Sequence, residues 1–223
     1  MSEWGYLTLF RTEDLESLER AVSDLCLAEG LVAVPYVPRK RVRWDKMQYG
    51  TGTNSDQWAI AIGAGRGGWS VAKTAPFELL AEPGLSGEHR LGTIARALHC
   101  EALHVSLYSS TPMVILEAAP TGEVVLSGFD LEGMTFYGVA IDPERFLPRI
   151  ECGHVPLSVR AEITRSHCKG YFKLLDELAG RKWDDVSLTL VEGGEVPFAS
   201  VLSFMRPPSA QSQLGPLYKE PEG

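Results

Sequence analysis

Cysteine and long apolar runs are the scarcest features of this sequence. Four cysteines occur among 223 residues, too few for the disulfide framework of a small secreted domain. The longest apolar stretches, such as residues 58–62 and 113–116, have the length of a strand and fall far short of the roughly 18 residues of a membrane helix. Residues 1–5 show no secretory signal pattern. We therefore predict a cytoplasmic protein with reduced thiols and no membrane contact.

Positive charge is also in short supply. Lysine and arginine number 21 against 29 aspartates and glutamates, which gives a formal net charge of −8. Phosphate binding needs a basic surface, so this balance argues against a general nucleic-acid binder and favours a basic protein partner. The hydrophobic fraction of 44% and the charged fraction of 22% are typical of a folded soluble domain and exclude a disordered chain.

Motifs for metal binding and covalent catalysis are missing. There is no Cys-x-x-Cys pair and no Gly-x-Ser-x-Gly elbow. Three close His and Cys pairs occur, at residues 99–100, 152–154 and 167–168. They are far apart in sequence, and adjacent residues point in different directions, so they lack zinc-type spacing. We predict no metal and no cofactor, with Cys100 and Cys168 acting as small apolar residues.

One glycine-rich segment matches a dinucleotide-binding pattern by letter. Residues 63–68 read Gly-Ala-Gly-Arg-Gly-Gly, which fits G-x-G-x-x-G. That motif holds a pyrophosphate only where a helix follows. Here Trp69 and Val71 begin a strand pattern and Pro76 excludes a long helix. We predict a hairpin tip rather than a nucleotide site.

The order of elements predicts an α+β protein with a largely antiparallel sheet or sheets packed by about three helices. Helical spacing runs from an N-cap at Thr12 to Gly30, over residues 88–99, and from an N-cap at Ser158 through residue 178. Strand patterns cover residues 6–10, 31–37, 41–47, 58–62, 69–74, 102–108, 113–118, 123–129, 186–191 and 196–205. Their short connections favour antiparallel pairing, including a final hairpin of residues 186–191 and 196–205.

The chain shows no convincing linker. We predict a single domain over residues 1–205, in which the irregular region 130–157 is the best candidate for a sub-boundary. Residues 206–223 are rich in Pro, Ser, Gln and Gly, and we predict that they form a C-terminal tail.

A basic run stands out in this acidic chain. Arg39, Lys40, Arg41, Arg43 and Lys46 fall within eight residues, with Trp44 among them. The run fits a contact surface for an acidic protein, a phosphate-bearing ligand or RNA. It also fits a solvated strand edge, which is the more common explanation. Tryptophan and arginine dominate binding hot spots, so the predicted partner-binding residues are Arg41, Arg43, Trp44 and an exposed Trp69.

Scattered polar residues leave a second function open. The residues that could assemble a site are Lys73, Glu78, His104, Tyr108, Cys152 and His154. In the strand pattern of residues 102–108, His104 alternates with Leu103, Val105 and Leu107, so we expect it to face solvent or a pocket rather than the core.

Two classes of function therefore remain, and no motif is specific enough to name a family. The first is a non-enzymatic protein-binding module, most concretely a bacterial toxin-neutralising protein of the immunity type, whose acidic surface would speed association with a basic toxin. The alternative is an enzyme or small-ligand-binding domain with a site assembled from Lys73, His104, Tyr108, Cys152 and His154.

Overall fold

In the part of the chain that the structure describes, the main element is an eight-stranded β-sheet with two α-helices packed on it. A computed structural model of the chain describes residues 5–36, 57–75, 79–107, 113–129, 135–136, 139–140 and 200–207. Every strand pairing within the sheet is antiparallel. The predicted α+β class and antiparallel sheet are confirmed. The third helix, predicted from Ser158, lies outside the described residues.

The elements follow the chain closely. The sheet contains β1 (Gly5–Phe10), β2 (Val32–Ala33), β3 (Gln57–Ala64), β4 (Ser70–Ala75), β5 (Ala102–Leu107), β6 (Met113–Ala118), β7 (Val124–Phe129) and β10 (Ser200–Met205). The helices are α1 (Leu15–Ala28) and α2 (Arg90–Leu98). Two short strands, β8 (Thr135–Phe136) and β9 (Val139–Ala140), pair in a separate sheet.

Strand order in the main sheet combines local and distant pairings. The order is β2-β10-β3-β4-β1-β5-β6-β7. The hairpin β3–β4 and the meander β5–β6–β7 are the local pairings that the sequence predicts. In contrast, β1 lies between β4 and β5, and β10 pairs with β3 on one side and β2 on the other. Residues 186–191, the predicted partner of β10, lie outside the described residues.

The N-cap of helix α1 lies two residues after the predicted one. Asp14 is the N-cap, and its Oδ1 accepts a hydrogen bond from the backbone N–H of Ser17 at 3.0 Å. The N-cap predicted at Thr12 is wrong, because the Thr12 hydroxyl accepts from the backbone N–H of Asp14 in the preceding turn. At the other end, Gly30 has a φ of +76°. The backbone N–H of Leu31 donates to the carbonyl of Cys26 at 3.1 Å. This Schellman turn confirms Gly30 as the C-terminal stop.

Helix α2 lies in close contact with the turn between β6 and β7. A Cβ atom on Gly92 would collide with the carbonyl oxygen of Gly122, so a glycine is required for this approach. The helix ends at Leu98, and its C-cap residue His99 adopts the left-handed conformation with a φ of 50°.

The strand predicted over residues 31–37 is shorter than expected. Within the described residues 31–36, only Val32–Ala33 pairs in the sheet.

Both faces of the sheet are buried. One face packs against α1 and α2 around a single apolar cluster. The two helices contribute Leu18, Val22, Cys26, Leu91, Ile94 and Ala95 to this cluster. The sheet contributes Phe10, Trp58, Ile60, Ile62, Ala72, Leu116, Leu126 and Phe204. On the opposite face Leu7, Leu9, Leu103, Val105 and Ile115 are buried as well. A strand buried on both sides does not show polar alternation. In the described part of the chain, no helix is both long and apolar enough to span a membrane.

Candidate functional site

A buried hydrogen-bonded chain of polar side chains lies on the helix-covered face of the sheet. Thr8 in β1 and His104 in β5 are opposite each other in register, so their side chains share this face. The Thr8 hydroxyl oxygen lies 2.8 Å from Nδ1 of His104. The Ser106 hydroxyl oxygen lies 3.0 Å from Nε2. All three side chains are buried. Each ring nitrogen therefore has a hydroxyl partner that can donate or accept.

The His104 imidazole is neutral at physiological pH. Burial, followed by the charges of Lys73 and His89, lowers the pKa of His104 to about 3. The expectation that His104 faces solvent or a pocket rather than the core is wrong. Its exposed fraction is 0%, because the helix layer covers its face and the opposite face of β5 is buried too. Alternation therefore does not separate inside from outside in this strand.

Lys73 in β4 is a second buried titratable group in this region. Its side chain is 3% exposed. Its ammonium nitrogen donates to the backbone carbonyl of Tyr6 and lies 4.0 Å from the centroid of the Tyr6 ring. Burial lowers the pKa of Lys73 to about 7. An amine that can exist in either protonation state near neutral pH is a feature of functional sites, although structural clusters show it too.

His89, which no sequence motif singled out, completes this buried group. It is the N-cap residue of α2. Both of its ring nitrogens are buried and have no hydrogen-bond partner among the residues that the structure describes. Burial, followed by the charge of Arg90, lowers the pKa of His89 to about 4. We call Tyr6, Lys73, His89, His104 and their hydroxyl partners Thr8 and Ser106 the inner polar cluster.

An ion pair links α1 to α2 at one corner of the helix layer. Arg90 donates from Nε and Nη2 to the two carboxylate oxygens of Glu29, at 2.7 and 2.8 Å. Its Nη1 donates to the carbonyl of Leu79 at 3.0 Å. The guanidinium also lies 4.9 Å from the ring centroid of Trp58. Both charged side chains are less than one-tenth exposed. The guanidinium is thus held by a bidentate pair, a carbonyl and an aromatic face.

This ion pair was not predicted from the sequence, although the chain carries a signal for it. Glu29 is the C-cap residue of α1, and Arg90 is the first residue of α2. An acid at a helix C-terminus and a base at a helix N-terminus both oppose the helix dipole. Two such unfavourable placements at neighbouring helix ends indicate that each charge neutralises the other.

The glycine-rich segment is a hairpin tip, as predicted. Gly63 pairs with Val71 and Ala64 with Ser70 across the hairpin. The turn closes with a hydrogen bond from the backbone N–H of Gly65 to the carbonyl of Trp69 at 2.8 Å. The residues after Gly68 continue as β4. A phosphate loop would need a helix N-terminus at that point.

The structure describes three of the predicted site residues. Lys73 and His104 belong to one cluster. Trp69 is only 2% exposed, so its expected position on the surface is wrong: its ring is buried at the base of the hairpin tip and is not presented to a partner. The remaining predicted residues lie outside the described residues and stay predictions: Arg41, Arg43, Trp44, Glu78, Tyr108, Cys152 and His154.

The described cysteines have the character of apolar core residues. Cys26 and Cys100 are free thiols, and both are buried. Burial raises the pKa of Cys26 to about 12 and that of Cys100 to about 11, so neither is a reactive thiolate at neutral pH. Within the described ranges, no cluster of three or more His, Cys, Asp or Glu side chains is placed to hold a metal ion.

Comparison with known proteins assigns the chain to no family. No protein-family model matches the chain, and no curated protein or solved structure matches it significantly. Function is therefore inferred from the residues themselves.

Proposed function

We propose that this protein is a non-enzymatic protein-binding module that acts by direct binding, most concretely as a toxin-neutralising protein of the immunity type. The observation that carries the proposal is the acidic outer surface of α1 and of the two residues before it. Glu13, Asp14, Glu16 and Asp24 are all exposed, and Arg20 is the exposed cation of this segment. Arg20 is itself paired with Glu16 at 2.9 Å.

An acidic helix surface of this kind suits a basic partner. Complementary charge raises the rate of association and discourages wrong partners more than it adds affinity. The formal net charge of −8 acts in the same direction over longer distances. A basic toxin domain that acts on nucleic acid has the complementary surface.

The experiment is affinity capture from the source cells, followed by reconstitution with the purified partner. We expect one basic protein in a stoichiometric complex, and an association rate that falls about tenfold or more between low and high salt. Co-expression with that partner should relieve any growth inhibition that it causes. A capture that yields no stoichiometric protein would contradict the proposal, as would an association rate that does not change with salt.

A second candidate function is an enzyme or small-ligand-binding domain, and one observation favours it. Lys73 and His104, two of the residues named for such a site, fall in one cluster in which both pKa values are lowered. A ligand of this cluster should raise the melting temperature of the wild-type protein and have no effect on a Lys73→Met variant. Screening a metabolite library by thermal shift with both proteins tests this candidate directly.

A further inference from the structure

The face of the sheet opposite α1 and α2 is buried, although neither of the two described helices lies on it. Its buried apolar residues belong to the neighbouring strands β1, β5 and β6, and they are Leu7, Leu9, Leu103, Val105 and Ile115. None of them is more than 1% exposed. Large apolar side chains are withdrawn from water only where other groups pack on them. Residues outside the described ranges must therefore cover this face.

The two described helices occupy the other face over most of the width of the sheet. Helix α1 packs near β2, β10 and β3, and α2 packs near β5 and β6. Both helices share an apolar cluster with Phe10, Ile60 and Leu116, whose neighbours along each strand point to the opposite face. A segment that crossed the sheet on the helix side would lie outside the helix layer and out of reach of the strands.

The path of the chain requires a crossing. Strand β9 lies close to β7, which forms one edge of the sheet, whereas β10 lies near the other edge between β2 and β3. Five strands separate β7 from β10, so the two are about 29 Å apart at the usual strand spacing. Residues 141–199 make this connection, and about nine extended residues would span it. Most of the segment is therefore available to pack on the sheet.

The other segments outside the described ranges fit this role less well. Three that connect neighbouring elements are short, namely residues 76–78, 108–112 and 130–134. Residues 37–56 join β2 to β3, and residues 208–223 follow β10, so both start from the β2 side of the sheet. The buried apolar residues of the face lie in β1, β5 and β6, towards β7. Of all these segments, only residues 141–199 begin on one side of that face and end on the other.

We infer that residues 141–199 cross this face and form a second covering layer, so that the sheet is the middle of three layers. The sequence contains a matching surface, because the helical spacing of residues 158–178 places Leu174, Leu175 and Leu178 on one apolar face. That face packs on the buried residues of β1, β5 and β6. This inference goes beyond the proposed function and does not depend on it.

Photo-cross-linking from two adjacent residues of β6 tests the layer directly. A diazirine-bearing aliphatic amino acid at the position of Ile115 probes the face in question. The same amino acid at the position of Leu116 is the matched control on the helix-covered face. We expect mass spectrometry to find cross-links from position 115 to residues 141–199, and from position 116 to α1 or α2. Cross-links from position 115 to residues 37–56, to residues 208–223 or to a second copy of the chain would overturn the inference.

Thiol protection measures the same contact in solution. Val105→Cys places a thiol on this face, and Cys26, which is buried on the helix side, is the internal control. Leu174→Ala/Leu175→Ala should raise the alkylation rate at position 105 about tenfold or more and leave that of Cys26 unchanged. The matched control Lys173→Ala changes the polar side of the same predicted helix and should leave both rates unchanged. An unchanged rate at position 105 in the leucine variant would contradict the inference.

Discussion

Arg90 and Lys73 are both buried basic residues, but the protein accommodates them in opposite ways. Arg90 faces the Glu29 carboxylate with matching geometry, and its Nη1 donates to a backbone carbonyl and lies 3.5 Å from a carboxylate oxygen of Glu82. Lys73 contacts a backbone carbonyl and the face of the Tyr6 ring. The bidentate carboxylate thus balances the buried guanidinium. Burial brings the pKa of the lysine down to about 7.

This contrast separates an ion-paired region of the fold from a region that is sensitive to pH. The Glu29–Arg90 corner joins two helix ends through a buried bidentate ion pair. The inner polar cluster holds three groups, Lys73, His89 and His104, whose pKa values are all lowered. Each of them binds protons more tightly in the unfolded chain, so stability falls as the pH is lowered: from about 10.5 to about 7 for Lys73, and below 6.5 for the two histidines. Four sets of substitutions, in decreasing order of expected effect, probe the contrast.

Breaking the ion pair at the corner should have the largest effect. Arg90→Met leaves the Glu29 carboxylate buried without its bidentate partner and removes a donor to Leu79. We expect a loss of about 4 kcal/mol in the free energy of unfolding, measured by urea denaturation. The double variant Glu29→Leu/Arg90→Met should recover much of that loss, because no buried charge remains. A single variant within about 1 kcal/mol of wild type would contradict the structural role of the pair.

Replacing the buried lysine should abolish a pH dependence. The pKa of Lys73 is about 7 in the folded protein, against 10.5 for an unperturbed lysine, so the unfolded chain holds an extra proton between these values. Wild-type stability should therefore rise by about 3 kcal/mol from pH 7 to pH 10 as this proton is lost. Lys73→Met should lack that rise and be more stable than wild type at pH 7. Urea denaturation at both pH values measures the difference, and parallel pH profiles would refute it.

The hydrogen-bonded chain around His104 can be dissected by a mutant cycle. His104→Leu leaves the hydroxyls of Thr8 and Ser106 in an apolar environment, and we expect a loss of about 2 kcal/mol at pH 7. The triple variant Thr8→Val/His104→Leu/Ser106→Ala also removes the two hydroxyls that lose their partner. It should lower the free energy of unfolding by less than the sum of the three single changes. Simple additivity would show that these side chains do not act as one network.

The same histidine also contributes to acid sensitivity. Its pKa is lowered from 6.5 to about 3, so its effect on stability is absent above pH 6.5 and grows as the pH falls towards 3. The His104→Leu variant should therefore lose less stability than wild type over that range. His89, with a pKa lowered to about 4, accounts for acid sensitivity that remains in the variant.

The smallest effect belongs to the hairpin tip that precedes Lys73. Gly67 has a φ of +61°, a conformation that costs an alanine about 1 kcal/mol. Gly67→Ala should lower the free energy of unfolding by that amount, whereas Gly65→Ala, whose backbone is not left-handed, should change it less. These two glycine variants give the reference change in the free energy of unfolding for a substitution near β4 that leaves the Lys73 contacts intact. Saturable ATP, GTP or NAD binding that the Gly67 change removes would instead indicate a phosphate site.

Local patterns were enough to predict most of the elements. Apolar spacing and the glycine after it define α1, and strand propensity with short turns defines the hairpin β3–β4 and the meander β5–β6–β7. Turn chemistry also distinguished a hairpin tip from a phosphate loop at residues 63–68. These predictions succeeded because each depends on residues that are close together in the chain.

The strand pairings that could not be predicted join segments that are far apart along the chain. The insertion of β1 between β4 and β5, and of β10 between β2 and β3, depends on pairings between segments far apart in sequence. The burial of His104 follows from those pairings, because β5 lies inside a covered sheet and is buried on both faces whatever its pattern. Composition and local pattern were enough to predict an acidic, folded chain of the α+β class. Which charges are paired and which are neutralised by burial depend on contacts that form only when distant segments pack together.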